Sequence, residues 1–261
     1  RSGCAATLRL LMDAKASLNV WDDARLTPLM ASTERGGNAT TVALLEAGVA
    51  IDAVDWSNKT ALCWAAHHGN AAAAHALIDA RASLIHRAVD GMDALARATS
   101  RRQHAVMQVL IDAKADVNVD RTNGGNPRVQ SPLQLAVKKN DCQATRVLID
   151  AKAAPNYYDD DLLWCAVSNQ NEGIFQLLVE AKAQVNVEGG WSPYLADAAE
   201  ENNAVGMKLL IKAKAALEPS ESDPSRCPLM LSIKNNNKAA VRLLLDAKAP
   251  VDGEYSWCAI E

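Results

Sequence analysis

Residues 109–115 read V-L-I-D-A-K-A, and residues 147–153 read V-L-I-D-A-K-A again. Looser copies of this phrase run through the whole chain, and the first alanine of each copy can serve as an anchor. The anchors are Ala14, Ala47, Ala80, Ala113, Ala151, Ala181, Ala213 and Ala247, at spacings of 33, 33, 33, 38, 30, 32 and 34 residues. Self-similarity with a period near 33 residues predicts an array of like structural units, because one globular core needs no such repeat.

Two apolar positions precede every anchor. A leucine stands three residues before it, and an aliphatic residue or Met follows that leucine in all eight copies, as in Leu110 and Ile111. Chance composition does not place the same residue at one position in eight copies out of eight. We therefore expect both side chains to form the seam along which neighbouring units pack.

Each copy also contains signals for the start and the end of a shorter first helix. Residues that cap helix N-termini through a side-chain oxygen recur upstream of the anchors: Thr27, Thr60, Asp93, Ser131, Asp161 and, one place out of step, Ser192. Proline follows at 28, 132, 193 and 228, a position where its missing N–H costs nothing. Nine residues after the cap position stand Gly36, Gly69, Asn140, Asn202 and Asn236, which tolerate the left-handed end of a helix, whereas Arg102 and Gln170 depart from the rule. Polar segments such as 19–26 and 52–59 read as turns, so the predicted unit is loop, helix, turn, helix.

Two stretches carry a family resemblance. T-P-L-M-A-S at residues 27–32 and T-A-L-C-W-A-A at residues 60–66 resemble the T-P-L-H-x-A phrase of ankyrin repeats, and the period agrees with that family. The resemblance implies an all-α, ankyrin-repeat solenoid of stacked helix-turn-helix units joined by hairpin-like loops. We expect a single array over residues 1–261, with about seven full units and partial units at both ends, and therefore a piece of a longer chain.

The chain departs from the family pattern in two ways. Ankyrin units usually place Gly after the second helix, but here that site matches only at Gly48; the others are Lys15, Arg81, Lys114, Lys152, Lys182, Lys214 and Lys248. If the backbone there is left-handed, each cation costs on the order of 1 kcal/mol relative to Gly. The unequal spacings further predict an enlarged loop at 120–130 and a clipped one at 157–160.

Composition excludes several classes of function. A formal charge of -4 and a pI near 5.8 give no overall basic field, so nucleic-acid binding is not expected. The longest stretch without Asp, Glu, Lys or Arg, residues 60–78, is rich in Ala and His and predicts two short helices, not a transmembrane segment. Six widely separated cysteines predict reduced thiols and an intracellular location of unknown compartment.

No catalytic, cofactor-binding or metal-binding motif is present. The five histidines include no H-E-x-x-H, and the Gly-Gly pairs lack the spacing of phosphate loops. The best nucleophile candidate is Cys63 with His67 four residues later, but a small buried thiol is the ordinary interpretation of such a cysteine. The sequence therefore predicts a protein that is not an enzyme and needs no cofactor.

Residues that differ from unit to unit at the end of the first helix usually line the groove of an ankyrin stack. Here they include His67, His68 and a basic patch of Arg97, Arg101, Arg102, Lys138 and Lys139. This patch would suit an acidic segment of a partner protein, although an ordinary solvated face is the alternative. Trp21, Trp56 and Trp191 fall in the loops, where an indole is hard to bury, while Trp64 and Trp164 are expected in the core; tryptophan is enriched at interface hot spots.

These observations predict a scaffold for other proteins, most simply a peripheral structural or assembly subunit of a larger complex. The alternative is a partner-recruiting module of a larger regulatory enzyme whose catalytic domain lies outside residues 1–261.

Overall fold

A computed structural model describes residues 7–8, 10–11, 13–34, 37–118, 130–156, 161–187, 190–219 and 223–251. The described residues form seven α-helix pairs and no strand, which confirms the predicted all-α array of helix-turn-helix units. The pairs are α1 Pro28–Glu34 with α2 Asn38–Glu46, α3 Ala61–His68 with α4 Ala71–Asp79, α5 Ala94–Ser100 with α6 His104–Asp112, α7 Pro132–Lys138 with α8 Cys142–Asp150, α9 Leu162–Ser168 with α10 Glu172–Glu180, α11 Pro193–Glu200 with α12 Ala204–Lys212, and α13 Pro228–Lys234 with α14 Lys238–Asp246. The predicted loops at 120–130 and 157–160 lie almost wholly outside the described residues.

The chain divides into two compact units, an N-terminal unit Arg1–Ala153 and a C-terminal unit Ala154–Glu261. In the N-terminal unit the first helices α1, α3, α5 and α7 pack side by side, and the second helices do the same. In the C-terminal unit α9, α11 and α13 pack in the same order. That residues 1–261 make one continuous array stays a prediction.

The leucine of the repeated phrase is buried in every described pair, as predicted. Leu44, Leu77, Leu110, Leu148, Leu178, Leu210 and Leu244 are each 0 to 1% exposed. The residue after it is only half-buried, and Leu245 is 46% exposed. Our prediction that both positions form the seam was therefore wrong for the second, because successive helical residues point about 100° apart.

Small residues let the first helices approach closely. One register position is 0% exposed in six pairs, where it is Thr33, Ala66, Thr99, Val137, Val167 and Ala199. The equivalent residue of the last described pair, Ile233, is 43% exposed. Close packing of this kind explains why a chain with little aromatic content still has a core.

Side-chain caps start most helices. Thr27, Thr60, Asp93 and Ser131 accept hydrogen bonds from backbone N–H groups three residues on, as predicted. Asp161 and Ser192 make no such bond, and the Ser192 hydroxyl instead donates to the carbonyl of Val185 at 2.8 Å. The second helices have caps that the sequence analysis missed: Asn70, Asp141, Asn171, Asn203 and Asn237.

The second residue after the end of each second helix is left-handed, whatever its type. Its φ is 71° at Gly48 and between 55° and 70° at the seven Lys and Arg residues that replace glycine there. Arg102 and Gln170, which depart from the Gly or Asn rule at the first helix, are also left-handed, with φ of 57° and 52°. The fold therefore sets these backbone conformations and the side chains conform to them.

Among the described residues, the predicted hairpin-like loops are present at four places. In each loop two backbone bonds close a tight turn, as when the N–H of Asp22 donates to Leu26 and the N–H of Arg25 donates to Asp22. The other three turns begin at Asp55, Ala88 and Val187. We call such a loop a finger; three fingers belong to the N-terminal unit and one to the C-terminal unit.

Candidate partner-binding surface

The C-terminal ends of α3, α5 and α7 carry most of the residues predicted to contact a partner. His67 and His68 end α3, Arg101 and Arg102 follow α5, and Lys138 and Lys139 end α7 and begin the next turn. Because cations are stabilised at the negative end of a helix dipole, this placement suits them. His68, Arg101, Lys138 and Lys139 are exposed, so they are available to a partner.

An aromatic cluster lies on α3 beside these cations. The Trp64 ring stacks on His68 at 5.4 Å between centroids and 14° between planes, and His67 meets His68 edge-on at 4.9 Å. The Lys59 ammonium lies 5.4 Å from the centroid of the Trp64 ring. The Trp64 indole N–H donates to the Asp55 carboxylate at 3.0 Å, which fixes the ring. Trp64 is thus half-buried at the surface and not in the core as we predicted.

Burial and basic side chains set the pKa of His67 at this surface. The pKa of His67 falls from 6.5 to about 4, first because the ring is partly buried and then because Arg101, His68, Lys59 and Arg97 are nearby. Lys59 and Arg97 also lower the pKa of the nearby Asp90 carboxylate, so part of this positive charge is balanced. The Nδ1 atom of His67 is buried and has no hydrogen-bond partner in the described part of the chain. His67 is therefore neutral at pH 7. We call Lys59, Trp64, His67, His68 and Arg101 the groove cluster, in which the guanidinium of Arg101 is an exposed positive charge.

Arg97 has a different role from its neighbours. It is 6% exposed, and one terminal guanidinium nitrogen donates to both carboxylate oxygens of Asp90 at 2.8 Å. Burial alone would raise the pKa of Asp90, but the hydrogen bonds from Arg97 and from the Met92 N–H outweigh it and lower that pKa. Arg97 therefore ties the third finger to α5 and adds its charge from beneath the surface.

Two contacts join the turns after α5 and α7. The Arg102 guanidinium donates to the backbone carbonyl of Lys139. The ring of His104 contacts the Asp141 carboxylate at 2.8 Å, and the same carboxylate caps α8 through the Ala144 N–H. These contacts hold the basic ends of the two helix pairs in register, so Arg101, Lys138 and Lys139 project from a fixed frame.

The three tryptophans predicted in the fingers are placed differently. Trp21 is 63% exposed and Trp56 is 70% exposed, and both lie in the N-terminal unit. The Arg25 guanidinium lies 5.8 Å from the Trp21 ring and 5.2 Å from the Trp56 ring, so it joins them. Trp191 is half-buried and belongs to the C-terminal unit. Trp164 of that unit is also half-buried, whereas we predicted it in the core.

The described residues offer little for catalysis. Cys63 is 1% exposed, and burial raises the pKa of its thiol, which is the opposite of what a nucleophile needs. No group of three or more potential metal ligands occurs among the described residues. Within that same part of the chain, no helix has the length and apolar character needed to cross a membrane.

Sequence reasoning missed three members of this surface. Lys59 and Asp55 lie in a finger that was read only as a turn, and Trp64 was assigned to the core. The spacing Trp64, His67, His68 was a usable signal, because residues three and four apart share one helix face. The pairing of Arg97 with Asp90 had no signal, since seven residues separate them across a helix start.

Comparison with known proteins shows what the sequence and the fold of this chain are similar to. A family model of ankyrin repeats in three copies matches residues 1–88 and 95–189. The crystal structure of the human ASB11 ankyrin repeat domain is similar in fold, with a TM-score of 0.67 and 22% sequence identity, over 86% of this chain and 99% of that one. No curated protein sequence matches the chain significantly.

Proposed function

Because this chain belongs to the ankyrin repeat family, whose repeats are protein–protein interaction modules and typically not catalytic, we propose that it is a binding scaffold that holds an acidic segment of a partner protein against the N-terminal unit. We further propose that it works as a peripheral structural or assembly subunit of a larger intracellular complex. The residues that carry the binding are the groove cluster together with Arg102, Lys138 and Lys139.

The concentration of basic side chains at the groove cluster and at the ends of α5 and α7 is the observation that carries this proposal. Arg101, Lys138 and Lys139 are exposed there, and Arg101 and Lys59 both lower the pKa of His67, while the chain as a whole has a net charge of -4. A local potential of one sign on a surface of the other attracts a complementary segment and sets its register more than its affinity. Acidic side chains of a partner would neutralise this charge.

Preorganisation also favours a binding role. The Trp64 ring is fixed by Asp55, and the turns after α5 and α7 are joined through Arg102 and Lys139. Rigid aromatic rings and fixed cations lose little conformational entropy when a partner arrives. The exposed guanidinium of Arg101 can meet a partner's carboxylate in the bidentate geometry typical of arginine.

Fluorescence anisotropy with a labelled dodecapeptide of alternating Glu and Ala tests the groove. We expect binding to the full chain that weakens as salt rises from 50 to 200 mM, because surface charges are screened. The double variant Arg101→Glu/Lys138→Glu should raise Kd at least about tenfold, in line with the loss of two charge contacts of about 1 kcal/mol each.

The matched control is Lys208→Glu/Lys238→Glu, which makes the same charge change at two exposed lysines of the C-terminal unit. This control should change Kd less than about threefold, since these lysines lie outside the groove cluster. Equal loss of binding in both double variants would show that net charge alone attracts the peptide, and the proposed site would be wrong.

Chemical cross-linking of the chain in its native complex tests the subunit role. We expect cross-links from Lys59, Lys138 or Lys139 to an acidic segment of one partner that copurifies at fixed stoichiometry. Cross-links from these lysines only to sequences without Asp or Glu clusters would contradict the proposal.

A further inference from the structure

Three consecutive fingers of the N-terminal unit are bonded into one edge. The Trp56 indole N–H donates to the carbonyl of Asp23 at 2.9 Å, which joins the first and second fingers. The Val89 N–H donates to the carbonyl of Ser57 at 2.9 Å, and the Asn58 amide donates to the carbonyl of Arg87 at 2.8 Å, which join the second and third. The edge is therefore a continuous surface with fixed geometry.

Large apolar side chains on or beside this edge are exposed to solvent. Trp21 is 63% exposed, Trp56 70%, Ile85 79% and Val89 74%. Trp21 and Trp56 both lie within 6 Å of Arg25, and Val89 is bonded beside the finger that carries Trp56. We call Trp21, Arg25, Trp56 and Val89 the fingertip ridge. Single exposed apolar residues are ordinary, but neighbouring ones on a rigid edge mark an interaction surface.

Contacts between the fingers account for the presence of Trp56 on this edge but not for every exposed apolar side chain. The indole N–H of Trp56 and its packing on Arg25 help to fasten the first finger to the second. Val89 is joined to the second finger through its backbone, which any residue type could do, and this leaves its side chain and that of Ile85 unaccounted for.

Exposed carboxylates surround the fingertip ridge. Over residues 19–26, 52–59 and 85–92, which are all described, they are those of Asp22, Asp23, Asp52 and Asp90, of which Asp90 is paired with Arg97, and the exposed cation is Arg25. Indole faces also attract ammonium and guanidinium groups, as Arg25 already shows. Carboxylates and indoles together favour a partner that is both cationic and apolar.

We propose that the fingertip ridge is a second binding surface, which takes a segment of a partner protein in which Lys or Arg alternates with large apolar side chains. The apolar side chains of the segment cover Trp21, Trp56 and Val89, while its cations lie between the indole faces and the carboxylates of Asp22, Asp23 and Asp52. The ridge shares no residue with the groove cluster, and the carboxylates beside it are opposite in sign to the groove cations, so the scaffold can hold two different segments at once.

Binding of two labelled dodecapeptides to the full chain tests this surface by fluorescence anisotropy in 150 mM salt. One peptide alternates Lys and Leu, and the other alternates Glu and Leu. We expect the Lys–Leu peptide to bind at least tenfold more tightly to the native chain than to Trp21→Ser/Val89→Ser. Trp56 is left in place because its N–H joins two fingers.

The matched control is Val205→Ser, which removes an apolar side chain that is 49% exposed on α12 of the C-terminal unit. It should change the Kd of the Lys–Leu peptide less than twofold. If Trp21→Ser/Val89→Ser does not fold by circular dichroism, Val89→Ser alone decides, with an expected loss of at least threefold.

Three results would overturn the proposal: no binding of the Lys–Leu peptide at 100 μM protein, equal binding of the Glu–Leu peptide, or unchanged binding to the ridge variants. The groove variant Arg101→Glu/Lys138→Glu should not weaken the Lys–Leu peptide. The two surfaces can therefore fail separately in these experiments.

Discussion

His67 shows how one residue records the charge of its surroundings. The pKa of its imidazole is lowered, first because the ring is partly buried and then because cations such as Arg101 lie nearby. Between pH 6.5 and about 4 the unfolded chain binds a proton at this position and the folded chain does not. Because the unfolded chain binds more protons, the free energy of unfolding decreases as pH falls through this window. Above pH 6.5 both states are neutral at His67, and the stability that is lost at lower pH is fully present.

The pKa of His67 can be measured by NMR titration of its ring protons. We expect a value near 4, and we expect Arg101→Gln to raise it, since Arg101 is the largest of the cationic contributions. Lys208→Gln, which removes a cation of the C-terminal unit that does not contribute to the His67 shift, should leave it unchanged. In urea titrations, His67→Gln should lose less stability than the native chain between pH 7 and pH 5. A native pKa near 6.5 would remove the charge argument for the groove cluster.

At the scale of the element, helix ends are where the chain departs most from its family. The second residue after each second helix has a left-handed backbone, and at seven of eight such sites the chain uses Lys or Arg. Such a side chain costs about 1 kcal/mol in this conformation, but its charge at the helix C-terminus recovers roughly 0.3 to 1 kcal/mol. The two effects are close to balance, which explains why glycine is not required.

Gly48 allows the two effects to be separated. Its φ is 71°, and a Cβ atom built there would meet nothing within 4 Å, so a substitution changes only backbone strain and charge. We expect Gly48→Ala to lower the free energy of unfolding by about 1 kcal/mol, and Gly48→Lys to lower it less, as urea unfolding measures. In 1 M salt the difference between the two variants should disappear, because screening removes the charge effect. If lysine costs as much as alanine at low salt, the helix dipole does not explain the seven cations.

Much of the burial pattern of the helices could be predicted from the sequence. Leu110 and its counterparts recur with the period of the repeat, and burial follows that period. Ile111 recurs as faithfully but is half-buried, because a pattern of residue types cannot separate two adjacent helix positions. The capping role of Asn203 was not predicted because the repeat pattern marks Asn202, the left-handed residue just before it, as the end of the preceding helix. The finger contacts of Trp56 and Arg25 depend on side-chain directions that a repeat pattern does not contain.

At the scale of the whole molecule, both proposed surfaces belong to one of the two compact units. Every contact that defines the groove cluster and the fingertip ridge joins residues between Trp21 and Asp141, within the N-terminal unit. In repeat proteins stability is a sum over units and their nearest neighbours, so a run of complete helix pairs can fold without distant ones. The binding functions should therefore be separable from the C-terminal unit.

The fragment 1–153 tests this separation. We expect it to fold with a cooperative urea transition and to bind the Glu–Ala and Lys–Leu peptides with Kd values within about threefold of the full chain, because additivity holds for sites without shared partners. The fragment 154–261, as the matched control, should bind neither peptide. A fragment 1–153 that folds but fails to bind would mean that the C-terminal unit supplies contacts to the peptides. Loss of folding would mean that its four helix pairs do not form a stable nearest-neighbour stack by themselves.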